Sequence, residues 1–320
     1  MIVESSVSGF LPRPQWLINE TRKFDRHRIT KETLDAAFIK STKEVIKAQE
    51  DNDLSFVNDG YLKQQDLLRP FTNKIRTVQV GQLYRWFDNN TFYRKPFIQG
   101  KLVGFPPFTE TFLDLLEGKR LKAILPAPYT YCKLSSNEFY EDEEKLLFDF
   151  AEILRDEIEF LEKQGYEYIQ LSDPALVFHK TLPDKDDLRT IGKAIELLAE
   201  GTNARICLQT FFGDVSPILS ELLEWKVDDI GIDFYESDFE NIKEYSFTKG
   251  VSLGLVNARN TLKENPTELI DICQELLSYS NPERLVISTN CDLDFLTWDT
   301  AKSKITTVTT IEKKLKGELS

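Results

Sequence analysis

The residues best suited to chemistry in this 320-residue chain stand directly after short apolar runs. The stretch "ICLQTFFGD" (Ile206–Asp214) shows the pattern: an apolar run passes into Gln209, Thr210, Phe211 and a Gly-Asp turn. The same change occurs at Ser8, at Asp59, in the "PAPYT" turn carrying Tyr129, and at Ser172-Asp173-Pro174. It recurs at Asp233–Glu236, which includes Tyr235, at Asn257 and Arg259, and at Asn290-Cys291-Asp292. Carboxylates, amides and hydroxyls gathered at one mouth would fix a polar ligand by hydrogen bonds. Each position also has a plain structural reading. Asp59-Gly60 makes an ordinary turn, Asp173 before Pro174 an Asx turn or helix cap, and Asn257 and Arg259 pair with a neighbouring acid. Cys291 alone suits a small buried filler.

The elements that must carry these residues alternate. Expected strands are Ile2–Val7, Leu54–Val57, Lys122–Leu125, Tyr168–Leu171, Ala204–Gln209, Ile230–Asp233, Val251–Leu255 and Leu285–Ser288. Their short, β-branched, unalternating composition is that of parallel strands buried on both faces. Amphipathic helices are expected over Thr30–Gln49, Glu141–Gln164, Lys185–Glu200, Val215–Trp225, Phe239–Tyr245, Pro266–Ser278 and Thr297–Leu315. Asp214 and Asn265-Pro266 supply start signals. The alternation predicts one α/β domain over residues 1–320, a closed (β/α)8 TIM barrel whose ligand face is the C-terminal end of the strands. The fallback, an open doubly wound sheet, would show a glycine-rich phosphate turn after the first strand, where this chain has "SGFLPRP". Gly60–Lys119 breaks the rhythm. Its runs "TVQVGQLYRW" and "FYRKPFIQGKLVGF" alternate like a hairpin, so an insertion on the C-terminal face, covering the mouth, is expected.

Composition narrows the partners. With 53 acidic against 40 basic residues the net charge is −13, which repels phosphate backbones and argues against nucleic acid. No apolar run reaches the roughly 18 residues of a membrane span, and the N-terminus lacks the basic and apolar regions of a signal peptide. Cys132, Cys207, Cys273 and Cys291 form no CxxC pair and read as reduced thiols of a cytoplasmic protein. His27 and His179 are the only histidines, which limits His-based metal or proton-transfer chemistry.

Six segments, in order, resemble the cobalamin-independent methionine synthase family. "SGFLPRPQWL" is similar to its G-S-[FY]-P-R-P opening with Leu11 inserted, and "FVNDGYLKQQDL" to T-D-G-E-x-x-R-x-D. "ILPAPYTY" resembles [LP]-G-P-[YV]-T and "YIQLSDPAL" resembles I-Q-[IL]-D-E-P-A-L. "VSLGLVNARN" and "VISTNCDL" resemble the family's L-G-[VL]-V-D-x-R-N and [ST]-x-[DS]-C-x-L segments. The resemblance implies a TIM barrel of the fold shared with uroporphyrinogen decarboxylase. Family members pair a C-terminal barrel, where zinc binds homocysteine as a thiolate beside a methyltetrahydropterin, with an N-terminal barrel that lacks the metal. This chain has room for one barrel.

Carried over, the family's His-x-Cys zinc pair falls on Gln209 and Phe211, its Glu on Asp233, and its last Cys on Cys291. Cys291 and Asp233 are the only retained ligand-type positions, a poor zinc donor set, so zinc is not expected. Ser172 replaces one carboxylate of D-E-P-A, Tyr61 stands at the D-G-E glutamate, and Lys63 or Gln64 stands at the following Arg. "TFFGD" and "NARN" look like the non-catalytic N-terminal barrel. The resemblance therefore implies a methionine-biosynthesis protein that binds methyltetrahydrofolate or a related methyl-pterin and acts with a separate zinc-bearing methyltransferase barrel. In it Asp59, Asp173 and Asp233 would receive the pterin N–H donors while Tyr129, Phe211 or Tyr235 stack on its ring. Two alternatives stay open: a self-sufficient thiol methyltransferase using Cys291 and Asp233, and a structural or regulatory barrel without a small ligand. Uroporphyrinogen decarboxylation would need a basic pocket, and this mouth is acidic.

Overall fold

A computed structural model describes residues 1–319. Its strands are β1 (Ile2–Ser5), β2 (Val78–Arg85), β3 (Phe92–Ile98), β4 (Leu121–Pro126), β5 (Ser136–Asn137), β6 (Tyr166–Ser172), β7 (Arg205–Gln209), β8 (Asp229–Asp233), β9 (Gly250–Val256) and β10 (Arg284–Thr289). Seven of them form one parallel sheet in the order β1-β10-β9-β8-β7-β6-β4. Strands β4, β8 and β9 are buried at every residue, which is why their sequences run apolar instead of alternating.

Helices cover the outside, and their apolar stripes explain them. Glu143–Lys163 buries Leu146, Leu147, Phe150, Leu154, Ile158 and Leu161, the three- and four-residue spacing of one helix face. The Asp142 side chain accepts the Glu144 N–H at its start. Asp184 caps Lys185–Ala199 in the same way, and Asn265 caps Pro266–Tyr279. Several helix ends differ from the expected ones, among them Glu318 in place of Leu315 for the last helix. The expected Val215 helix opens with a 3-10 turn, Ser216–Ile218, and is α-helical only over Leu219–Glu224. The expected Phe239–Tyr245 helix ends at Ile242. β1 likewise ends at Ser5, two residues before the expected Val7.

The eighth expected strand is the main correction. Leu54–Val57 is not a strand of the sheet; it contributes one isolated bridge, Val57 to Leu121. Side chains replace part of the ladder here. The Ser5 N–H donates to Ser55 Oγ and the Ser55 N–H to Ser5 Oγ, both at 3.1 Å. Backbone bonds flank this exchange, from Phe56 N–H to the Ser5 carbonyl (3.2 Å) and from Val57 N–H to the Arg120 carbonyl (3.0 Å). What the sheet itself displays is therefore a seven-stranded parallel α/β layer, with Ser55–Val57 hydrogen-bonded to the β1 side and the β4 side.

Residues 60–119 hold β2 and β3, an antiparallel pair, and β5 adds to β3 in parallel. The turn between β2 and β3 leans on the strand ends: Phe87 meets Phe178 at 4.9 Å and Phe212 at 5.6 Å between ring centroids. Glu157 on the long outer helix anchors the rest of the segment, accepting the Phe108 and Thr109 N–H groups and the Thr109 hydroxyl at 2.7–2.9 Å. Among the described residues no helix is long and apolar enough to cross a membrane.

Ser55 also donates to Glu312 Oε1 at 2.8 Å, so its hydroxyl serves two elements. Ser55→Ala should lower the urea unfolding free energy by about 1–3 kcal/mol, because it leaves the Ser5 N–H and a carboxylate short of partners. The combined Ser5→Ala/Ser55→Ala variant should cost clearly less than the sum of the single changes.

Candidate functional site

At the C-terminal ends of the strands, β6 stops at Ser172 because Asp173 leaves extended pairing and Pro174 starts a 3-10 turn, Pro174–Leu176. The Asp173 N–H still donates to the Gln209 carbonyl at 2.9 Å. Thr130, from the short helix Pro128–Lys133, fixes the side chain: its hydroxyl donates to Asp173 Oδ1 at 2.5 Å and accepts the Ala175 N–H at 3.1 Å. The other oxygen, Oδ2, is buried and has no partner among the described residues. Burial pushes the Asp173 carboxyl up to about 7, against the lowering effect of Thr130.

Buried polar groups from several strands lie at the same end of the sheet. Gln170 Nε2 donates to Ser172 Oγ at 3.0 Å and to Ser8 Oγ at 3.4 Å, while its Oε1 and the Ser288 hydroxyl lack partners among the described residues. The Ser8 N–H donates to Thr289 Oγ1 at 3.0 Å. Gln209 Nε2 donates to the Thr210 carbonyl (3.1 Å), and its Oε1 accepts from Ser252 Oγ (3.4 Å). Gly231 makes room for that amide, since a Cβ there would lie 2.2 Å from Gln209 Oε1. Phe211 is buried, with its ring perpendicular to Phe212 at 4.7 Å.

Asp233 ends β8 and is buried. Its carboxylate accepts the Tyr235 N–H (3.0 Å), the Asn290 amide (3.1 Å) and the Phe212 N–H (3.4 Å). Burial pushes it up to about 6, with these donors opposing. Cys291 is fully buried next to this group, and burial first, then the negative charge of Asp233, holds its thiol well above the usual range. This donor set does not fit zinc. The thiol is stabilised as S–H, Asp233 already accepts from three donors, and Gln209 and Phe211 complete the positions. Among the described residues no three His, Cys, Asp or Glu side chains are placed to share a metal ion.

Other expected residues point elsewhere. Both oxygens of Asp59 are taken by backbone, Oδ1 by the Tyr61 N–H (3.0 Å) and Oδ2 by the Phe112 N–H (3.2 Å), so this carboxylate ties the turn to the 60–119 segment. Tyr129 donates its hydroxyl to the Thr181 carbonyl (2.6 Å) and lines a separate cavity of about 500 Å³ with Cys132 and Lys133. The half-exposed Tyr235 donates to the Leu255 carbonyl at 2.9 Å. Asn257 accepts the Arg259 N–H at 2.8 Å, and Arg259 pairs with Glu236 and lies over the Phe212 ring at 5.4 Å. Gln170 joins Ser8 to Ser172, the neighbour of Asp173, and Asn290, the neighbour of Cys291, bonds Asp233, whereas Asp59, Tyr129, Tyr235 and Asn257 serve their own loops.

Two features escaped the sequence reading. Lys122 is buried inside the sheet, donating to Ser6 Oγ (3.0 Å) and the Val7 carbonyl (2.9 Å), and burial lowers it to about 8. A lysine interrupting the apolar run "LKAILP" was its signal. The second is a cavity of about 290 Å³ between the β1 and β10 loops and the β2–β3 pair, lined by Asp66, Trp86, Tyr93 and Asp294 among others. Three of these come from an insertion whose packing no local pattern specifies.

The chain is similar to known proteins along most of its length. The family described as the cobalamin-independent synthase, N-terminal domain, matches residues 73–281. A methionine synthase of Saccharolobus islandicus is 26% identical over 326 residues, covering 99% of this chain and 96% of the relative. That of Sulfolobus acidocaldarius is 24% identical, covering 95% and 89%. Among solved structures, a B12-independent methionine synthase from Shewanella sp. W3-18-1 in complex with selenomethionine superposes with a TM-score of 0.80 at 19% identity, covering 100% and 99%. A methyltransferase from Methanosarcina mazei superposes at 0.65 with 12% identity, covering 98% and 94%. These two share the fold.

Asp173 also sets a pH dependence that needs no ligand. Its pKa rises on folding from 3.8 to about 7, so the folded state holds the proton more tightly. Its contribution to stability is greatest at low pH and declines as pH climbs from about 4 to about 7. Asp59 and Asp233, each raised to about 6, act in the same direction. Asp173→Asn keeps an acceptor for Thr130 and removes the titration. Between pH 5 and pH 8 it should gain on the parent by at most about 3 kcal/mol in urea unfolding. Parallel pH profiles for the two proteins would contradict the assignment.

Proposed function

The chain belongs to the family of the cobalamin-independent synthase N-terminal domain, and from that premise we propose that it works in methionine biosynthesis by binding a methylated pterin. The relatives named methionine synthase, 26% identical and matched along 99% of this chain, support the pathway. In this reading residues 1–320 act as one barrel domain closed through Ser55–Val57, supported by the hydrogen bonds on both flanks of that segment. The 60–119 segment covers its mouth, and the protein resides in the cytoplasm.

The observation that carries the ligand assignment is the unpartnered Oδ2 of Asp173. A buried carboxylate oxygen without a donor is costly, and a pterin offers what it lacks, an amino group and a ring N–H side by side. Thr130 holds the first oxygen so that the second keeps its direction. With its carboxyl raised to about 7, Asp173 can also present a proton to a pterin nitrogen near neutral pH. Asp233 and Gln209, which end β8 and β7, complete the proposed site with Phe211, and Asp59 holds the loop that leads into the covering segment.

Methyl transfer to a thiol needs the thiolate, and here burial and the charge of Asp233 outweigh Arg259 and favour the Cys291 thiol as S–H, while Asp233 already accepts from three donors. The thiol acceptor is therefore activated on a separate zinc-bearing methyltransferase barrel, and this chain corresponds to the non-catalytic N-terminal half of two-barrel relatives.

Calorimetric titration with 5-methyltetrahydrofolate should show saturable binding that weakens at least tenfold in Asp173→Ala. Saturating protein should raise the rate of a separate single-barrel zinc methyltransferase. No heat with 5-methyltetrahydrofolate, homocysteine or methionine would favour a purely structural barrel. Stoichiometric zinc that is lost in Cys291→Ser would instead establish a self-sufficient methyltransferase.

A further inference from the structure

In the described conformation the proposed ligand site is shut. Asp173 and Asp233 are 0% exposed and Gln209 and Phe211 1%, so a ligand reaches them only after some element moves. We propose that this element is the turn between β2 and β3, a lid with Phe87 as its wedge. It swings away from the loops after β6 and β7 to admit the ligand and closes behind it. The proposal rests on Asp173 belonging to the ligand site, but not on the ligand being a pterin.

The turn lies across the strand ends. On one side Phe87 meets Phe178, after β6, at 4.9 Å and Phe212, after β7, at 5.6 Å between ring centroids. On the other, Trp86 and Tyr93 share the 290 Å³ cavity with Phe10, after β1, and Asp292, after β10. In the sheet order these two pairs of strands are separated by β9 and β8. The other way round, β4 and the Ser55–Val57 segment stand between them. The hairpin therefore bridges opposite rims. Phe212 carries the contact into the site, since its N–H donates to Asp233 at 3.4 Å and Phe211 precedes it.

What holds the turn down is separable. No β2 residue after Val78 is buried, and the β2–β3 register shifts at a bulge between Val80 and Leu83. The tip beyond that bulge can turn on it without drawing a core along. The cavity leaves the Trp86 flank incompletely packed. Across the mouth Asp88 pairs with Lys180 at 2.9 Å, but both side chains are more than half exposed, and such pairs hold weakly. The seam is also strained on both faces. Phe87 has φ +51° and Phe212 φ +71°, left-handed values that crowd a residue with a Cβ. Strain stored on both sides of one contact can relax when the contact parts, which eases opening.

Opening can be read with no ligand present, from the rate at which methyl methanethiosulfonate labels Cys291, followed by peptide mass mapping of the intact chain. Cys291 is fully buried beside Asp292 of the cavity wall, while the equally buried Cys207, inside the sheet, and Cys273, on the helix Pro266–Tyr279, report global unfolding. Phe87→Gly keeps the left-handed turn and removes the wedge. It should speed Cys291 labelling about fivefold or more with Cys207 and Cys273 unchanged, and Lys180→Ala should give a smaller rise. An unchanged Cys291 rate in Phe87→Gly, or a rise shared by all three thiols, would overturn the lid. Stopped-flow binding of 5-methyltetrahydrofolate should be faster in both association and release in Phe87→Gly, and unchanged rates would also count against it. Absence of binding would remove the pterin reading and leave the labelling comparison to decide the lid.

Discussion

A carboxylate taken out of water must find donors or hold its proton, and the strand-end region of this protein is arranged around that constraint. Asp233 solves it with three donors from three segments, so that β8, the turn after β7 and the loop after β10 are fastened to one side chain. Asp59 solves it with two backbone N–H groups and thereby fixes where the 60–119 segment leaves the sheet. Asp173 solves it by half, with one oxygen on Thr130 and the other bare. Satisfied carboxylates act as fasteners here. The unsatisfied one is the group with capacity left for a ligand.

The same logic runs through the polar interior. Lys122, Gln170, Ser172, Gln209 and Ser252 are buried in the middle of a parallel sheet that is otherwise apolar. Lys122 keeps two short acceptors, Ser6 Oγ and the Val7 carbonyl, and sits 5.1 Å from the Tyr168 ring, yet burial still lowers its pKa. At the opposite end of the strands Arg205 spans Glu4 (2.7 Å) and Asp229 (3.1 Å), and Arg284 adds a second cation to Asp229. Charges at that end are paired and structural. At the C-terminal end Asp173 keeps one oxygen without a partner among the described residues, at the face where a parallel α/β fold places its ligands.

Seven of the eight expected strands were legible because both-face burial writes itself as a continuous apolar run. Most of their C-terminal ends were legible to within a residue, since the first polar residues after the apolar runs, Gln209 and Asp233, are the last residues of β7 and β8, although β1 stops two residues early at Ser5. The eighth, Leu54–Val57, has the right composition but shares its edge with Ser5 through hydroxyls, and no periodicity reports whether a serine bonds a ladder or a neighbouring side chain. The site was half legible for the same reason. Position along a strand predicts which residues reach the mouth, but it does not say which carboxylates backbone donors will consume. Asp59 and Asp173 look alike as Asx-type residues in sequence. Only the tertiary approach of Phe112 to one and of Thr130 to the other separates them.

Cations are unevenly distributed around the β10-loop carboxylates, Asp292 and Asp294, which line one cavity. The segment that walls their cavity is basic in an acidic chain, carrying Lys74, Arg76, Arg85, Arg94, Lys95 and Lys101 against Asp88 between residues 73 and 104. Neutralising Asp292 and Asp294 would have required only that one of these reach inward. Arg94 instead bonds the Gly81 carbonyl at 3.3 Å, and Lys95 lies over the Tyr84 ring at 5.1 Å. Asp88 takes its own partner from across the mouth, Lys180 at 2.9 Å. The β2–β3 pair brings Trp86 and Tyr93 to the cavity that Asp292 and Asp294 also line, while its arginines and lysines stay on its own strands. Asp294 is exposed, so water serves it where no cation does.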